Sequence, residues 1–510
     1  MIQASSVQAV QRAEQTAMAG LPEGALMQRA AAALAGVLVH ELRRCTGGVY
    51  GRRVVLLVGP GANGGDALWA GARLARRGAA VQALLTSPAT HPGALEGLLG
   101  AGGTAVDATD AGRLEPATAA LAAADVVVDG LLGIGGRPGL RGAAAALVDR
   151  LDPDVPVLAV DLPSGLDPES GCAAGTFVRA DLTLTFGAVK PCLLLPPANR
   201  AAGRVLVADI GLDPAELGQA VVRRLEDGDV APAWPVPGPE DDKYSRGVLG
   251  VVAGGATYPG AAVLCTGAAV ACGAGMVRYL GPGAATDLVR ATWPEVVPGP
   301  GRVQAWVLGP GVDPADAGQA AAVRTALGGG EPCVVDAGAL QVLSQMMAEG
   351  APPAGELLLT PHAGELARLL TDLGEPGGVT RQQVQDDPLL HAGAAARATG
   401  ATVLLKGATT LVVGRRGVLA QADGAGWLAT AGSGDVLAGI CGTLLAAGLD
   451  PLEAGGLAVL VHARAGDRAS NGGPVHAGAL VATLPGALSA LLGGVRTGRP
   501  ARRGALRPEL

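Results

Sequence analysis

The feature that most limits the fold of this chain is a series of short apolar segments set between helical patterns. Arg53–Val58 consists largely of Val and Leu, and it ends in the turn Gly59-Pro60-Gly61 before a helical pattern at Asp66–Arg77. Continuous runs of this kind are typical of strands that are buried on both faces. Strands alternating with helices predict an α/β domain, a parallel sheet with helices on both faces. Four more predicted strands follow, at Val81–Leu85, Asp125–Asp129, Val155–Val160 and Leu182–Phe186.

A proline-rich segment separates two such series. Glu226–Asp242 holds four prolines and has acidic residues at both ends, a composition typical of stiff linkers. The strand–helix alternation restarts at Val248–Val252, and 510 residues suit two large α/β domains. A helical pattern at residues 7–45 precedes the first strand. We therefore predict a first domain at 1–225, a linker at 226–242, a second domain at 243–495 and a tail at 496–510.

Composition and charge argue against several classes of protein. The formal net charge is −7 and no basic block occurs, so no nucleic-acid partner is expected. The seven cysteines lie scattered without CxxC spacing, which argues against a disulfide framework or a zinc site and fits a reducing cytoplasm. The N-terminus lacks the pattern of a signal peptide, and no long uninterrupted apolar run predicts a membrane span. We therefore expect a cytoplasmic protein without a membrane partner.

Three glycine-rich clusters follow predicted strands in the first domain. They are Gly59–Asp66, Asp129–Gly135 and Asp161–Gly165. The carboxyl ends of parallel strands meet at one edge of a sheet, so the clusters are expected to converge on one crevice. A helix that begins there offers free N–H groups to a phosphate. A tight strand-to-helix turn or a helix cap would explain one cluster alone, whereas three aligned clusters favour a binding site.

The same clusters place three oxygen ligands at the predicted crevice, in the side chains of Asn63, Asp129 and Ser164. Oxygen ligands suit an alkali or alkaline-earth cation rather than zinc. The set carries one negative charge, which balances a monovalent ion and leaves a divalent ion undercompensated. We therefore expect a monovalent cation in this half.

The first half of the chain resembles the N-terminal domain of the NAD(P)H-hydrate epimerases, the YjeF N-terminal family, over residues 5–225. The family segments Asp-x-Leu-Leu-Gly-x-Gly and Asp-Leu-Pro-Ser-Gly stand nearly intact at 129–135 and 161–165. The first cluster differs from the family segment Gly-x-Gly-Asn-Asn-Gly-Gly-Asp-Gly at two positions, where Ala62 replaces the first Asn and Ala67 replaces the final Gly. The resemblance implies a Rossmann-like domain with epimerase activity.

The epimerase resemblance also implies roles for individual residues. Potassium would be held by Asn63, Asp129 and Ser164, and Asp161 would be the acid/base group. The implied substrate contacts are Ala62, Asn63, Gly64, Gly65, Asp66, Gly133, Ile134, Gly135, Gly136, Arg137, Pro138, Gly139 and Asp161.

The second domain contains three motifs of its own. Thr430–Gly439 is a glycine-rich turn that leads into a helix, where Asp435 could take a proton from an attacking hydroxyl. Lys406–Thr410 offers a lysine and two hydroxyls to a nucleotide phosphate. The third motif, Thr360–Glu365, contains His362. The structural alternatives are a helix cap for Asp435, an exposed turn for the lysine and a hydrogen-bonding role for the histidine.

These motifs resemble the ribokinase-like superfamily and, more closely, the ADP- or ATP-dependent NAD(P)H-hydrate dehydratases, over residues 240–495. Six segments stand in family order, and the chain departs from the family at Gly338, where an Asp is usual. The resemblance implies a ribokinase-like α/β domain. The implied substrate contacts are Ala261, Gly311, His362 and Asp435. The implied nucleotide contacts are Lys406, Gly407, Ala408, Thr409, Thr410 and Gly434.

Together the two resemblances predict repair of hydrated nicotinamide cofactor, with NADHX and NADPHX as substrates. The first domain would interconvert the R and S epimers. The second would phosphorylate the C6 hydroxyl of the S epimer with ADP or ATP, with Asp435 as base, and then eliminate phosphate. Phosphoryl-transfer chemistry adds Mg²⁺ on the nucleotide phosphates, and the family implies a homo-oligomer. Two alternatives stay open. One is a ribokinase-like kinase that stops at a phosphorylated product. The other is a non-catalytic first domain that binds a nucleotide or a partner protein, which Ala62 would favour.

Overall fold

The computed structural model describes residues 1–110 and 114–493, and its backbone divides into two compact units. The first unit comprises Ile2–Arg224 and Gln385–Leu390. The second comprises Met1, Leu225–Val384 and the chain from His391 onward. The tail expected at 496–510 lies outside the described residues.

The first unit is built on a seven-stranded sheet in which every neighbouring pair is parallel. Its strands are β2 (Arg53–Val58), β3 (Ala80–Leu85), β4 (Thr104–Asp107), β5 (Val126–Gly130), β6 (Val157–Val160), β7 (Leu182–Phe186) and β8 (Arg204–Ala208). Outside this sheet, β1 (Ile2–Ala4) pairs antiparallel with β9 (Val222–Arg224). The helices are α1 (Val7–Ala19), α2 (Ala25–Thr46), α3 (Ala62–Ala75), α4 (Pro92–Gly100), α5 (Leu114–Ala122) and α6 (Gly142–Val148).

The strand order β4-β3-β2-β5-β6-β7-β8 reverses direction between β2 and β5. Residue Val58 of β2 stands beside Gly130 of β5, so these two strands end at the same level. In open parallel sheets a ligand crevice forms where the order reverses, outside the carboxyl ends. The three glycine-rich clusters therefore begin at one edge of the sheet, as the sequence predicted.

Alternate residues of β2 pack into two different cores, which confirms the prediction of helices on both faces. Val54, Leu56 and Val58 belong to a cluster with α2 and α3, whereas Val55 and Leu57 belong to a cluster with α5 and α6. The strand is an uninterrupted apolar run because both of its faces are buried.

The prediction of a single helix at residues 7–45 is wrong. The segment forms two helices, α1 and α2, which are separated by residues 20–24. Pro22 lacks an amide hydrogen, and Gly24 adopts a positive φ of 76°, which ends helical geometry there. The apolar spacing on each side of this break masked it.

The second unit carries a sheet in the order β18-β17-β16-β15-β14-β13-β10-β11-β12. Strands β10 to β16 are parallel, and β16, β17 and β18 form an antiparallel meander. The strands are β10 (Val248–Val252), β11 (Met276–Leu280), β12 (Val297–Pro298), β13 (Ala305–Leu308), β14 (Cys333–Val335), β15 (Leu357–Leu359), β16 (Thr402–Leu405), β17 (Thr410–Gly414) and β18 (Gly417–Gln421). The helices that lie wholly or partly in this unit are α7 (Val230–Ala233), α8 (Pro259–Ala271), α9 (Gly283–Thr292), α10 (Ala317–Gly328), α11 (Gly338–Ala348), α12 (Ala363–Asp372), α13 (Arg381–Asp386), α14 (Pro388–Thr399), α15 (Ser433–Ala446), α16 (Pro451–Ser470) and α17 (Ala477–Leu491).

The segment expected to be a linker, 226–242, is only partly free of the second unit. Val230 and Trp234 are buried in a core formed by one face of the sheet with α8, α15, α16 and α17. Leu225, just before the segment, belongs to the same core. Prolines gave this stretch its linker-like composition, but its apolar side chains Val230 and Trp234 pack into the core of the second unit.

No helix of the described residues is both long and apolar enough to cross a bilayer.

Candidate functional site

The turn after β2 needs glycine at two positions. A Cβ on Gly59 would lie 1.8 Å from the carbonyl oxygen of Leu131, and one on Gly64 would lie 2.3 Å from the carbonyl oxygen of Gly59. The tight-turn explanation therefore accounts for these two residues. Helix α3 begins at Ala62, earlier than predicted, so the turn presents the first backbone N–H groups of a helix to the crevice. Ala62 itself is exposed.

The structure brings Asn63, Asp129 and Ser164 into one hydrogen-bonded cluster. The Asn63 Nδ2 donates to the carbonyl oxygens of Val160 and Leu132, at 2.6 and 3.2 Å. The Ser164 hydroxyl donates to Asp129 Oδ1 at 2.6 Å, and its oxygen accepts the Leu132 N–H at 2.9 Å. Asn63 and Ser164 both contact the Leu132 backbone, and Asp129 joins the cluster through Ser164 and the Leu131 N–H, which donates to its Oδ1 at 3.2 Å.

Burial dominates the electrostatics of this cluster. Asp129 is 0% exposed, and burial raises its pKa to about 6 although hydrogen bonds from Ser164 and Leu131 oppose the rise. The donor set of carboxylate, hydroxyl and amide fits a monovalent cation in charge and chemistry. Asn63 presents its nitrogen to the neighbouring carbonyl oxygens, so a cation bound through Asn63 Oδ1 requires the amide to turn over.

The loop at 133–139 lies against this cluster. A Cβ on Gly133 would approach Asn63 Oδ1 to 2.4 Å, so Gly133 is in direct contact with the first glycine-rich turn. The Gly136 N–H donates to the Gly133 carbonyl at 2.8 Å, and Gly139 has φ of 78° beside the Ala174 carbonyl. The other loop residues are Ile134 and Pro138, which are half-buried, and Gly135 and Arg137, which are exposed.

Asp161 is paired with a buried lysine that the sequence did not single out. Lys190 is 0% exposed, and its ammonium group donates to Asp161 Oδ1 at 2.5 Å, Thr185 Oγ1 at 3.0 Å and the Phe186 carbonyl at 2.9 Å. The Thr185 hydroxyl and the Phe186 N–H also donate to Asp161 Oδ1. Asp161 has φ of 68°, a left-handed conformation that is costly for a non-glycine residue and concentrates at functional sites. A lysine among apolar residues just after β7 was the available sequence signal.

Asp66 lies nearby in very different surroundings. It is 6% exposed, and its Oδ1 has no hydrogen-bond partner in the described part of the chain. Burial raises its pKa well above the ordinary value, and the negative charges of Asp161 and Glu14 raise it further. The capping position of α3 is Gly61, so Asp66 is not a helix cap.

The second unit holds a cavity of about 900 Å³ between the carboxyl end of its parallel strands and the start of α15. The cavity brings together Ala261, Gly311 and Asp435, three of the four predicted substrate residues. Tyr258 and Glu365, which the sequence did not single out as site residues, also line it.

Asp435 stands in the first turn of α15, on the wall of the cavity. The capping position is Gly432, with φ of 86° and no side-chain cap, so the helix-cap alternative for Asp435 is wrong. Burial raises its pKa to about 7, and Asp336 and Glu365 add to the rise while Lys406 opposes it. A carboxyl group poised near neutral pH suits a general base.

Lys406 is held by Asp336, another residue missing from the predicted site. The Lys406 ammonium lies 2.8 Å from Asp336 Oδ1, which also accepts the Thr360 hydroxyl at 2.8 Å. Burial lowers the pKa of Lys406, but Asp336 and Glu365 prevail and raise it. A Cβ on Gly434 would lie 3.3 Å from the same ammonium group, so the lysine reaches the Gly434–Asp435 turn. The exposed-turn alternative for this lysine is therefore wrong.

The rest of the lysine turn has mixed exposure. Gly407 and Ala408 are exposed, whereas Thr409 and Thr410 are buried. The Thr410 hydroxyl closes the turn, because it donates to the Gly407 carbonyl at 3.3 Å. The exposed backbone of Gly407 and Ala408 is the part of the turn most open to a ligand.

His362 has a structural role in this conformation. Its Nδ1 accepts the N–H groups of Gly364 and Glu365 at 3.0 and 3.1 Å, which makes it the N-cap of α12. Its side chain is 61% exposed, and it is not among the residues that line the cavity. The hydrogen-bonding alternative is thus observed, and substrate contact by His362 stays a prediction.

A buried histidine that the sequence did not single out supports the α15 turn. The His462 Nε2 lies 3.1 Å from Ser433 Oγ and 3.0 Å from the Ser433 carbonyl oxygen. Burial lowers the pKa of His462 to about 4, so the ring is neutral at physiological pH. This contact fixes the first residue of α15, next to Gly434 and Asp435.

Two protein families match the two halves of the chain. Residues 23–192 match the YjeF-related protein N-terminus, and residues 249–485 match the NAD(P)H-hydrate dehydratase family. These matches fall on the two units separately.

Curated relatives match across both halves. A protein from Mycobacterium tuberculosis strain CDC 1551, named bifunctional NAD(P)H-hydrate repair enzyme Nnr, is 48% identical over 457 residues, covering 88% of this chain and 90% of that protein. A protein of the same name from Mycobacterium leprae is 46% identical over 503 residues, covering 95% and 99%. Among solved structures, an ADP/ATP-dependent NAD(P)H-hydrate dehydratase from Bacillus subtilis is 24% identical with a TM-score of 0.47, covering 53% of this chain and 99% of that chain.

Proposed function

The chain belongs to the family of bifunctional NAD(P)H-hydrate repair enzymes, and on that premise we propose which residues carry each of its two reactions. It is an enzyme that interconverts the R and S epimers of NAD(P)HX and dehydrates the S epimer to NAD(P)H. We assign epimerisation to the first unit and dehydration to the second. The observation that carries the assignment is Asp435 on the wall of the large cavity, with its pKa near neutrality.

In the second unit, Asp435 is the general base. It takes the proton of the C6 hydroxyl as that oxygen attacks the terminal phosphate of ADP or ATP. The phosphate ester then loses phosphate from C6 and a proton from C5, which restores the ring double bond. Ala261, Gly311 and the Gly432 turn shape the cavity around the hydrated ring, and the N–H groups at the start of α15 face the transferring phosphate.

The nucleotide binds at Lys406 and the exposed backbone of Gly407 and Ala408, beside Gly434. The Asp336 carboxylate orients the lysine, so its charge is fixed near the phosphates before the nucleotide arrives. Magnesium supplies charge neutralisation on the phosphates. Within the described residues no group of three or more His, Cys, Asp or Glu side chains could hold this ion, so the nucleotide phosphates would supply much of its coordination.

In the first unit, Asp161 is the acid/base group, and the turn at 62–66 and the loop at 133–139 hold the substrate. The N–H groups at the start of α3 suit the substrate phosphates. Asn63, Asp129 and Ser164 would hold potassium once the Asn63 amide turns over, and the ion would supply a positive charge beside the glycine-rich turn. The cysteines are all free thiols, which supports a cytoplasmic location.

Product analysis tests the dehydratase assignment. The purified enzyme is incubated with S-NADHX and with ADP or ATP, and inorganic phosphate and restored NADH are both measured. We expect one phosphate for each NADH formed. A stable phosphorylated hydrate would contradict the assignment and favour a small-molecule kinase.

A further inference from the structure

Behind the first glycine-rich turn, one lysine and two aspartates are removed from solvent. Lys190, Asp66 and Asp161 are 0%, 6% and 5% exposed. They come from the chain after β7, the first turns of α3 and the end of β6. The two aspartates differ in their partners. Asp161 forms an ion pair with Lys190, whereas Asp66 Oδ1 has no hydrogen-bond partner among the described residues.

We propose that Asp66 and Asp161 form an acid–base pair for epimerisation, in which Asp66 is the proton donor, Asp161 is the proton acceptor and Lys190 is a positioning residue that holds Asp161 Oδ1 in place. This inference rests on the epimerase function proposed for the first unit. It gives roles to Asp66 and Lys190 in addition to the acid/base role of Asp161.

The surroundings of Asp161 fix the position of one of its carboxyl oxygens. The ammonium group of Lys190, the Thr185 hydroxyl and the Phe186 N–H all donate to Oδ1. Within the described residues Oδ2 accepts no hydrogen bond, so one oxygen is left to take a proton. A buried ammonium that lost this partner would be an uncompensated charge, which is strongly unfavourable.

The surroundings of Asp66 favour the protonated acid. Its buried Oδ1 has no donor, so ionisation would leave a charge without compensation. Burial raises the pKa of Asp66, and the carboxylates of Asp161 and Glu14 raise it further. Burial also raises the pKa of Glu14, although the positive charge of Lys190 acts in the opposite direction. Asp161 is thus paired with a cation, whereas Asp66 faces other acids, and two carboxyl groups in such different surroundings are the arrangement that separates acid from base in an active site.

The reaction balances in atoms and electrons. Carbon C6 of the hydrated ring is bonded to both the hydroxyl and the ring nitrogen. Asp66 gives its proton to the hydroxyl, the C6–O bond breaks, water leaves, and the nitrogen lone pair forms a C6=N bond. A second water attacks C6 from the opposite face, Asp161 takes its proton, and the electron pair returns to nitrogen. Asp161 then gives up this proton and Asp66 takes one up, so both groups return to their starting states and nothing is oxidised or reduced.

Asp66→Asn tests the acid. The full-length enzyme is mixed with R-NADHX in the absence of nucleotide, so that the second site is idle, and formation of the S epimer is followed. Loss of the acid should lower the rate by about 10²–10⁴-fold. Asp125→Asn is the matched control, because Asp125 precedes β5 at the opposite edge of the same sheet and accepts the Arg53 N–H at 2.8 Å. It should keep the wild-type rate.

The two possible failures are distinguishable. A wild-type enzyme that does not interconvert the epimers would overturn the proposed function itself. A wild-type enzyme that does, together with an Asp66→Asn variant of equal rate, would leave the function standing and overturn the acid–base pair.

The steady-state kinetics of Lys190→Met test the positioning role. Without the ammonium group, Asp161 loses one of the three donors to its Oδ1, so kcat for epimerisation should fall by up to about 10²-fold while KM changes little. If the lysine were merely structural, the folded variant would keep the wild-type kcat, and that outcome would refute the role. If Lys190→Met does not fold, Asp66→Asn still tests the acid–base pair, because its loss of rate does not depend on Lys190.

Discussion

At the residue scale, the surroundings of two carboxyl groups matter more than their identity. Asp435 and Asp66 are both raised in pKa by burial, but Asp435 has Lys406 nearby and Asp66 faces only other acids. Lys406 therefore opposes the rise in the pKa of Asp435, whereas both of the charges that act on Asp66 raise its pKa. One residue type can thus serve as base in one site and acid in the other.

The pH dependence of dehydration follows from Asp435. Because its pKa is about 7 and the ionised form is the base, kcat/KM should fall about tenfold per pH unit below neutrality and level off above it. Lys406→Met should move this limb to higher pH, since Lys406 favours the carboxylate. Steady-state kinetics across pH would check both, and a flat profile would contradict the assignment of Asp435.

The stability of the first unit should depend on Asp66. In the unfolded chain this carboxyl titrates near 3.8, so above that pH the unfolded state releases a proton that the folded state keeps. The folded state therefore loses relative stability as pH rises, until the folded pKa is passed. Asp66→Asn should remove this loss, by at most about 1.4 kcal/mol for each pH unit. Calorimetry at about pH 4 and pH 8 should show that Asp66→Asn is more stable relative to the wild type at the higher pH than at the lower one. The same stability difference at both pH values would contradict the account.

Sequence motifs predicted the side chains that follow strands, and they missed the partners that come from elsewhere. Asp161 and Asp435 were named because each stands in a glycine-rich motif. The sequence analysis missed Lys190 and Asp336 because each is recognised only by its contact with a distant residue. Lys190 pairs with Asp161, 29 residues away, and Asp336 pairs with Lys406, 70 residues away. A single sequence does not show which distant residues come into contact.

At the scale of elements, the strand-to-helix turns are the parts of the fold that define the sites. The predicted strand Arg53–Val58 is confirmed residue for residue, since an apolar run ending in glycine fixes both ends. The sequence predicted that α3 begins at Asp66, four residues after its actual start at Ala62. Gly64 and Gly65 have low helix propensity, so the first turn of α3 was not recognised from the sequence. Periodicity predicts elements well and their ends poorly when packing overrules propensity.

The turn after β2 can be tested by a pair of glycine substitutions. Gly64→Ala would place a Cβ 2.3 Å from the Gly59 carbonyl oxygen, so it should destabilise the first unit by about 1–3 kcal/mol and abolish epimerisation. Gly36→Ala, on the exposed face of α2 with nothing within 4 Å, should instead stabilise by about 0.5–1 kcal/mol. Denaturant unfolding measures both, and equal effects would contradict the close approach.

At the scale of the whole molecule, two units with separate cores carry two reactions. The sequence predicted two α/β domains because the alternation of strands and helices restarts after a proline-rich stretch. It could not show that Val230 and Trp234 pack into the second core, since burial is a property of the folded chain. The exact domain boundary stays a prediction.

Truncation tests that boundary. A fragment of residues 225–510 should fold and keep dehydratase activity. A fragment of residues 240–510 lacks Leu225, Val230 and Trp234, each worth up to about 1.5–3 kcal/mol of burial, and should be much less stable. Thermal unfolding of the two fragments is the comparison, and equal midpoints would show that 226–242 is a free linker.

The central claim is that one chain holds two separate catalytic sites that act in sequence on one damaged cofactor. The most direct measurement starts from pure R-NADHX with nucleotide and Mg²⁺ and follows the appearance of NADH. The wild type should convert all of it. Asp435→Asn should make S-NADHX but no NADH, and Asp161→Asn should make NADH only at the uncatalysed epimerisation rate while dehydrating added S-NADHX normally. Loss of both activities in either variant, or rapid NADH formation from the R epimer by Asp161→Asn, would contradict the account.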